Sequence, residues 1–310
     1  MSNNQSIDFT HSSKYLFILY YPFILVILGT IFNCFTLFIL CQSIFKNTKL
    51  RPTLHYMRTI AIFDILMLYG WNFDHYLQSI HGFTLQRSSI VLCKFFSFLN
   101  YFSAQVSAWL RVFICLDRYI SLSQSCARWV VQSKNILRII FAIILLAILI
   151  NSHFLFFACY YNNDGTVNPQ ARLYRIYPLW DYVNLGLYNL FPFILMVLFN
   201  SGVLYHLIHL RQIVPLSYRR VQHRSITITL VITTCLFLLM TTPATILFAF
   251  FYKTTNALTL YSFDSILYTY HILSFPLYFL TFAEFRRTVL RLLYRRIIRH
   301  RWEATHVLRS

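Results

Sequence analysis

A bundle of seven membrane-spanning helices is the fold class predicted here: an all-α membrane protein with a short amphipathic cytoplasmic helix after the seventh span. Three observations predict it. Of 310 residues, 58% are hydrophobic and only 12% charged, whereas about 25% of a soluble chain is charged. Seven apolar stretches each approach the ~20 residues that a helix needs to cross a bilayer core. Lysine and arginine alternate in abundance between successive loops, as a topology signal does.

Residues 1–14 are polar and carry the glycosylation sequon Asn4-Gln5-Ser6, expected on the outer side. The first stretch, about 15–41, is too long for a signal-peptide core and is expected to act as the targeting segment itself. The remaining stretches run about 57–79, 93–116, 136–160, 180–210, 226–252 and 262–282. Only a helix satisfies its own backbone in lipid within one segment, so these read as helices. Pro22, Pro192, Pro243 and Pro276 fall inside them, where a bundle tolerates kinks.

Six basic residues (Lys14, Arg87, Lys94, Arg172, Arg175, Lys253) fall on the side of the N-terminus and twenty on the other, with Arg111 inside the third stretch. The N-terminus is therefore expected outside and the C-terminus in the cytoplasm of a plasma-membrane protein. The net charge of +18 is then mostly topology, and no nucleic-acid partner is expected. Residues 283–310 alternate basic and apolar residues, with Phe285, Val289, Leu292, Leu293 and Ile297 at helical spacing. They read as a helix lying on the anionic leaflet, followed by a short basic tail; a disordered basic tail is the alternative. The domains are thus 1–14, 15–282 and 283–310. Seven cysteines without a C-x-x-C spacing suggest neither a zinc nor a redox site, and no cofactor.

The third stretch ends in Asp117-Arg118-Tyr119, twenty-four residues after Cys93. Gly29 and Asn33 lie in the first stretch, Ala61 and Asp64 in the second, Pro192 in the fifth. Phe237 stands six residues before Pro243 in the sixth, and Tyr278 seven before Phe285. In that order and spacing the chain resembles the rhodopsin-like (class A) G-protein-coupled receptors. Ser274-Phe275-Pro276-Leu277-Tyr278 departs from the family pattern by one position, Met240-Thr241-Thr242-Pro243 lacks its tryptophan, and Asn200 replaces its tyrosine. Within the family the chain looks most like invertebrate receptors for FMRFamide-type neuropeptides.

The resemblance implies a heterotrimeric G protein as partner, with Asp117, Arg118, Tyr119, Asn200, Phe237, Pro243 and Tyr278 as the coupling and switch residues. Arg118 is expected to be held by Asp117 or by hydroxyls such as Thr227, because His223 stands where an acid would otherwise restrain it. Asn33, Asp64, Ser107, Arg111 and Ser274 form the expected intramembrane polar core. In the family, Asp64 and Ser107 would help hold a sodium ion. Arg111 could reach Asp64 and take the ion's place; alternatively it points into the cytoplasmic cavity without a specific partner.

Cys93 lies at the outer edge of the third stretch and Cys159 is the other outward cysteine, so a Cys93–Cys159 disulfide is expected. Amine receptors of the family carry an aspartate seven residues after that cysteine; here Asn100 stands there, which disfavours a biogenic amine. The expected pocket combines Asp74, Asp181 and Asp264 with Asn100, Tyr101, Gln105, Tyr188, Phe248 and Tyr268. Such an acidic, aromatic cup suits a short cationic, amidated peptide, although Asp181 and Asp264 can also act as helix caps.

A chemosensory receptor for a small molecule shares every one of these motifs. A seven-span transporter would want paired repeats and broken helices, which are not evident. No enzyme is expected: His153, His206, His209 and His271 do not converge by spacing and read as loop or interface residues.

Overall fold

The computed structural model describes residues 13–42, 45, 53–123, 132–213 and 218–294; of these, the side chains of 13–18, 209–213, 218–227 and 257 are outside the description. Asn4, Gln5, Ser6, Lys14, His209, His223, Thr227 and Ile297, named above, lie outside the described residues or side chains.

The chain is mostly helical. Helix α1 (Ser13–Leu40) is followed by α2 (Leu54–Met67), a π turn (Leu68–Asn72), α3 (Phe73–His81) and the single turn α4 (Leu85–Ser88). Then come α5 (Ile90–Leu122), α6 (Ser133–Phe156), strands β1 (Ala158–Tyr161) and β2 (Val167–Ala171), and α7 (Leu179–Asn184). A second π turn (Leu185–Leu190) leads into α8 (Phe191–Ile213). Helix α9 (Tyr218–Ile246) ends in a third (Leu247–Phe251), and α10 (Ala257–Tyr270) and α11 (Ser274–Thr281) complete the bundle. Residues 283–294 form α12. Helix α5 is central, packing against α2, α6 and α8.

The distribution of polarity is inverted relative to a soluble protein. Leu280, Leu239 and Phe141 are 69%, 68% and 67% exposed, whereas Asn33, Asp64, Ser107, Asn151 and His271 are fully buried. Apolar side chains outward and polar groups inward is the arrangement that hydrocarbon solvent selects. Among the described residues, four helices are long and apolar enough to cross a membrane: Leu19–Leu40, Ser133–Phe156, Leu179–Ile208 and Ile228–Phe251. The other three long helical stretches, 54–81, 90–122 and 257–281, bring in Asp64, Arg111 and His271. Their lower apolar content comes with the polar groups they bury. Close approach is needed where α1 meets them: a Cβ on Gly29 would collide with Leu68 and stand 3.0 Å from Ile272.

Three features depart from the sequence expectations. The chain is not all-α, because β1 and β2 pair antiparallel (Tyr160 with Asn168, Tyr161 with Val167). Asp164-Gly165 supplies the turn signal: Gly165 takes φ +80°, and Asp164 accepts from the Thr166 hydroxyl and N–H, which hold its carboxyl below the usual range. Helix α6 ends at Phe156, so Cys159 belongs to β1 and not to the fourth span. At a register irregularity there, Cys159 takes φ +62° and is bonded to Cys93 with a Cα–Cα distance of 6.2 Å. The last span is interrupted at 271–273. Pro276 has no N–H for the Ile272 carbonyl and its ring crowds that oxygen, so the helix restarts at Ser274 with the proline in its first turn.

In α12, Phe285 and Val289 are buried and Leu292 packs against the core, while Arg287, Arg291 and Leu293 face outward. The described part of the tail is therefore helical and amphipathic. Cys34, Cys41, Cys115 and Cys235 are free thiols.

Replacing Cys93 or Cys159 by serine should lower the thermal midpoint by the same amount, corresponding to about 2–4 kcal/mol. The double variant should lose no more than either single one, as read by thermal unfolding of purified protein.

Candidate functional site

Asp64 projects from the last turn but one of α2 into the middle of the bundle, and its two oxygens are fully used. Arg111 of α5 donates through Nη2 to both, at 3.0 and 2.7 Å. Ser107, one turn earlier on the same face, donates to Oδ1 at 2.6 Å. His271 in the 271–273 break places Nδ1 2.8 Å from Oδ1, and Ser274 at the start of α11 donates to Oδ2 at 3.2 Å. Arg111 is satisfied in turn. Its Nη1 donates to the Ser107 carbonyl at 3.0 Å and to the Ser107 hydroxyl, and its guanidinium lies 4.9 Å from the Tyr270 ring centroid. Asn33 of α1 donates to the His271 carbonyl at 3.0 Å.

Burial makes this arrangement obligatory. A lone charge at mid-membrane costs roughly 2.5–3.5 kcal/mol on insertion scales, and removing one partner of a buried pair costs about 3–5 kcal/mol. The sodium ion implied by the resemblance does not fit, because the carboxylate it would need already accepts from a tethered cation and three further donors. Arg111 also borders a cavity of about 30 Å³ with Tyr270, Ser274 and Tyr278, but its tip is committed to Asp64.

At the far end of α5, Arg118 Nε stands 4.0 Å from Asp117 Oδ2. A third residue couples them: Thr53, at the start of α2, donates to Asp117 Oδ2 at 2.6 Å and accepts from Arg118 Nη2 at 2.5 Å. Thr53 is a hydroxyl of the kind expected beside Arg118. Tyr119 lies against α8 at Gly202, where an added Cβ would stand 2.7 Å from its ring. Asn200 donates to Thr234 at 2.8 Å. One and two residues before Pro243, Thr242 donates to Asn189 at 2.8 Å and Thr241 accepts from it at 2.7 Å. Where the family's tryptophan is missing, a polar clasp joins α9 to the π turn before α8. Phe237 packs edge-on against Tyr188 and Tyr270, and Tyr278 against Phe285.

Toward the disulfide end lies a cavity of about 50 Å³. Each π turn sends one aromatic residue to its wall: Trp71, Tyr188 and Phe248. An extra residue in a helical turn re-aims the side chains that follow, and this is how π turns build sites. Asn100, Tyr101, Asp181, Asp264 and Tyr268 complete the sequence-expected part of the wall. Tyr101 donates to Asp181 at 2.9 Å, Tyr268 donates to Asn100 at 3.1 Å, and His75 Nδ1 stands 3.1 Å from Asp264 Oδ2.

Two expected pocket residues lie elsewhere. Asp74 accepts from the Leu85 N–H at 2.5 Å, so it braces the loop. Gln105 donates to Asn184 at 3.1 Å and accepts from Asn151 at 2.7 Å, tying α5 to α7 and α6. Nor does Asp264 cap a helix: it lies two turns inside α10, which Asn256 caps through Thr259 N–H at 2.8 Å.

His271 is the main residue that spacing alone missed. Expected in a loop or interface, it sits at the hub; its other nitrogen, Nε2, is 3.3 Å from the Tyr188 hydroxyl. An ionisable side chain inside a span, three residues before Ser274, was the available signal. Thr53, Asn189 and Asn184 carried none beyond being polar.

Asp64→Asn and Arg111→Ala should each reduce the yield of folded protein, and exchange of the charges (Asp64→Arg with Arg111→Asp) should restore part of it. The thermal midpoint of the wild type should be the same in sodium and potassium chloride, whereas Arg111→Ala should gain a sodium-dependent rise. A sodium-dependent wild type would show that the ion binds despite the guanidinium.

Residues 20–172 match the family model described as serpentine type 7TM GPCR chemoreceptor Srw. The matched part, a little under half of the chain, contains Asp64, Arg111, Asp117, Arg118 and both disulfide cysteines. No curated protein matches the chain. The matched family is a class of receptors and not of enzymes, and over those residues this multi-pass membrane protein is similar to a chemoreceptor of the G-protein-coupled type.

Proposed function

We propose that the chain is a chemosensory G-protein-coupled receptor of the plasma membrane. It has seven spans, with the disulfide end outward and the Asp117–Arg118 end in the cytoplasm. The match of residues 20–172 to a chemoreceptor family carries this function, and the motif spacing along the later helices supports its extension to the whole bundle. A small ligand fits the cavity between the three π turns better than a peptide. A volume of about 50 Å³ is small for an extended chain, against the several hundred Å³ of typical drug-sized sites. The neuropeptide ligand favoured by the acidic residues alone therefore gives way to a small molecule.

The mechanism follows from the geometry. In the resting arrangement Thr53 holds Arg118 and Asp117 together between α2 and α5. Activation releases Arg118 to meet the G protein as α9 moves about the Asn189–Thr241–Thr242 clasp and Pro243. The test is nucleotide exchange on co-expressed heterotrimeric G proteins in membranes at matched receptor levels. Arg118→Ala should remove receptor-dependent exchange, and a rate indifferent to Arg118 would count against coupling. Asp117→Asn and Thr53→Val should each raise basal exchange by about tenfold or more, the worth of a hydrogen bond to a charged group (about 1.5–3 kcal/mol). The pair together should do little more than one alone, since both open the same bridge.

A further inference from the structure

Nine acidic residues serve a chain with net charge +18, so where each carboxylate goes is informative. Asp64 and Asp117 are committed to arginines. Asp74 braces a backbone N–H and Asp164 closes the hairpin turn. Glu284 lies in α12, and Asp8 and Glu303 are outside the described residues. The remaining two, Asp181 of α7 and Asp264 of α10, line one and the same cavity. No lysine or arginine lines it. Asp181 is met by a neutral hydroxyl, and Asp264 by a histidine whose side chain is itself partly exposed at the rim.

From this we infer that the cavity takes a small organic cation, a primary or quaternary ammonium or a group of similar size. The inference rests on the chemoreceptor function proposed above and specifies its ligand. Two carboxylates lining one cavity, without a lysine or arginine on its wall, focus a negative potential there. Trp71, Tyr188, Phe248 and Tyr268 supply ring faces, which attract a desolvated cation. A place in the first turn of α7, which favours an acid, accounts in part for Asp181 but not for Asp264, two turns inside α10. The aspartate of amine receptors is absent, since Asn100 holds that position; here the charge comes from α7 and α10. Volume sets the size limit, admitting a headgroup of a few heavy atoms.

The experiment compares matched pairs on purified wild-type receptor by thermal unfolding: choline with its uncharged isostere 3,3-dimethylbutan-1-ol, and phenethylamine with 2-phenylethanol and phenylacetate. At least one cation should raise the midpoint by on the order of 2–4 °C at saturation. Its neutral and anionic counterparts should not, and Asp264→Asn and Asp181→Asn should each remove the rise. If an asparagine variant does not fold, the cation–neutral comparison on the wild type still decides. Equal stabilisation by the neutral isosteres, or no rise with any cation, overturns the cation assignment. Arg118-dependent nucleotide exchange, measured without ligand, separates that outcome from failure of the receptor function.

Discussion

The pair between Asp64 and Arg111 is the constraint on which the rest of the bundle depends. Two opposite charges buried in the middle of the bundle leave little freedom for what surrounds them. The carboxylate on α2 has two oxygens, and α5 and the 271–274 segment must each stand where a donor can reach one of them. Asn33 then fixes α1 to the same place through the His271 carbonyl. In a medium where apolar packing gives no net drive between helices, such polar contacts supply much of the specificity of assembly. The arginine also ends the need for a mobile ion: a charge carried on the chain is present at fixed stoichiometry whatever the salt.

A second constraint is that the backbone is bent without exposing it. Prolines suggested kinks, yet the three helical irregularities that shape the cavity are π turns, and only Pro192 adjoins one. A π turn keeps its hydrogen bonds internal while shifting the register of everything after it; in the first of the three, Gly70 leaves helical geometry (φ −66°, ψ −108°) and the helix kinks there. That suits a helix in lipid, where a broken ladder has no water to fall back on.

Much of this was legible from residues alone. Apolar length located the helices, and the placement of Arg111 one turn from Ser107 was enough to suggest a partner for Asp64. The hairpin was visible as Asp164-Gly165 but masked by the apolar run that leads into it. His271 was hidden for a different reason. Its role depends on the break imposed by Pro276, which swings the ring inward, and no periodic pattern survives a break. Thr53 and Asn189 show the general difficulty: a threonine or asparagine gains its meaning from a partner far away in sequence, 64 residues for Thr53 and Asp117. Asp74 and Gln105 erred in the opposite sense. Both are at the correct depth, but neighbouring polar groups had already claimed them.

One ring deserves a last consideration for where it stands. A carboxylate can only accept, so the His271 nitrogen facing Asp64 carries the proton and the other is left to accept from the Tyr188 hydroxyl. Tyr188 is wall to the upper cavity, and Asp64 is anchor to the charge pair below. The partition between the upper cavity and the electrostatic centre of the bundle is therefore a single imidazole thick. Whatever displaces the tyrosine takes a hydrogen bond from a group already holding the anchor, and the news need travel no farther than the width of that ring.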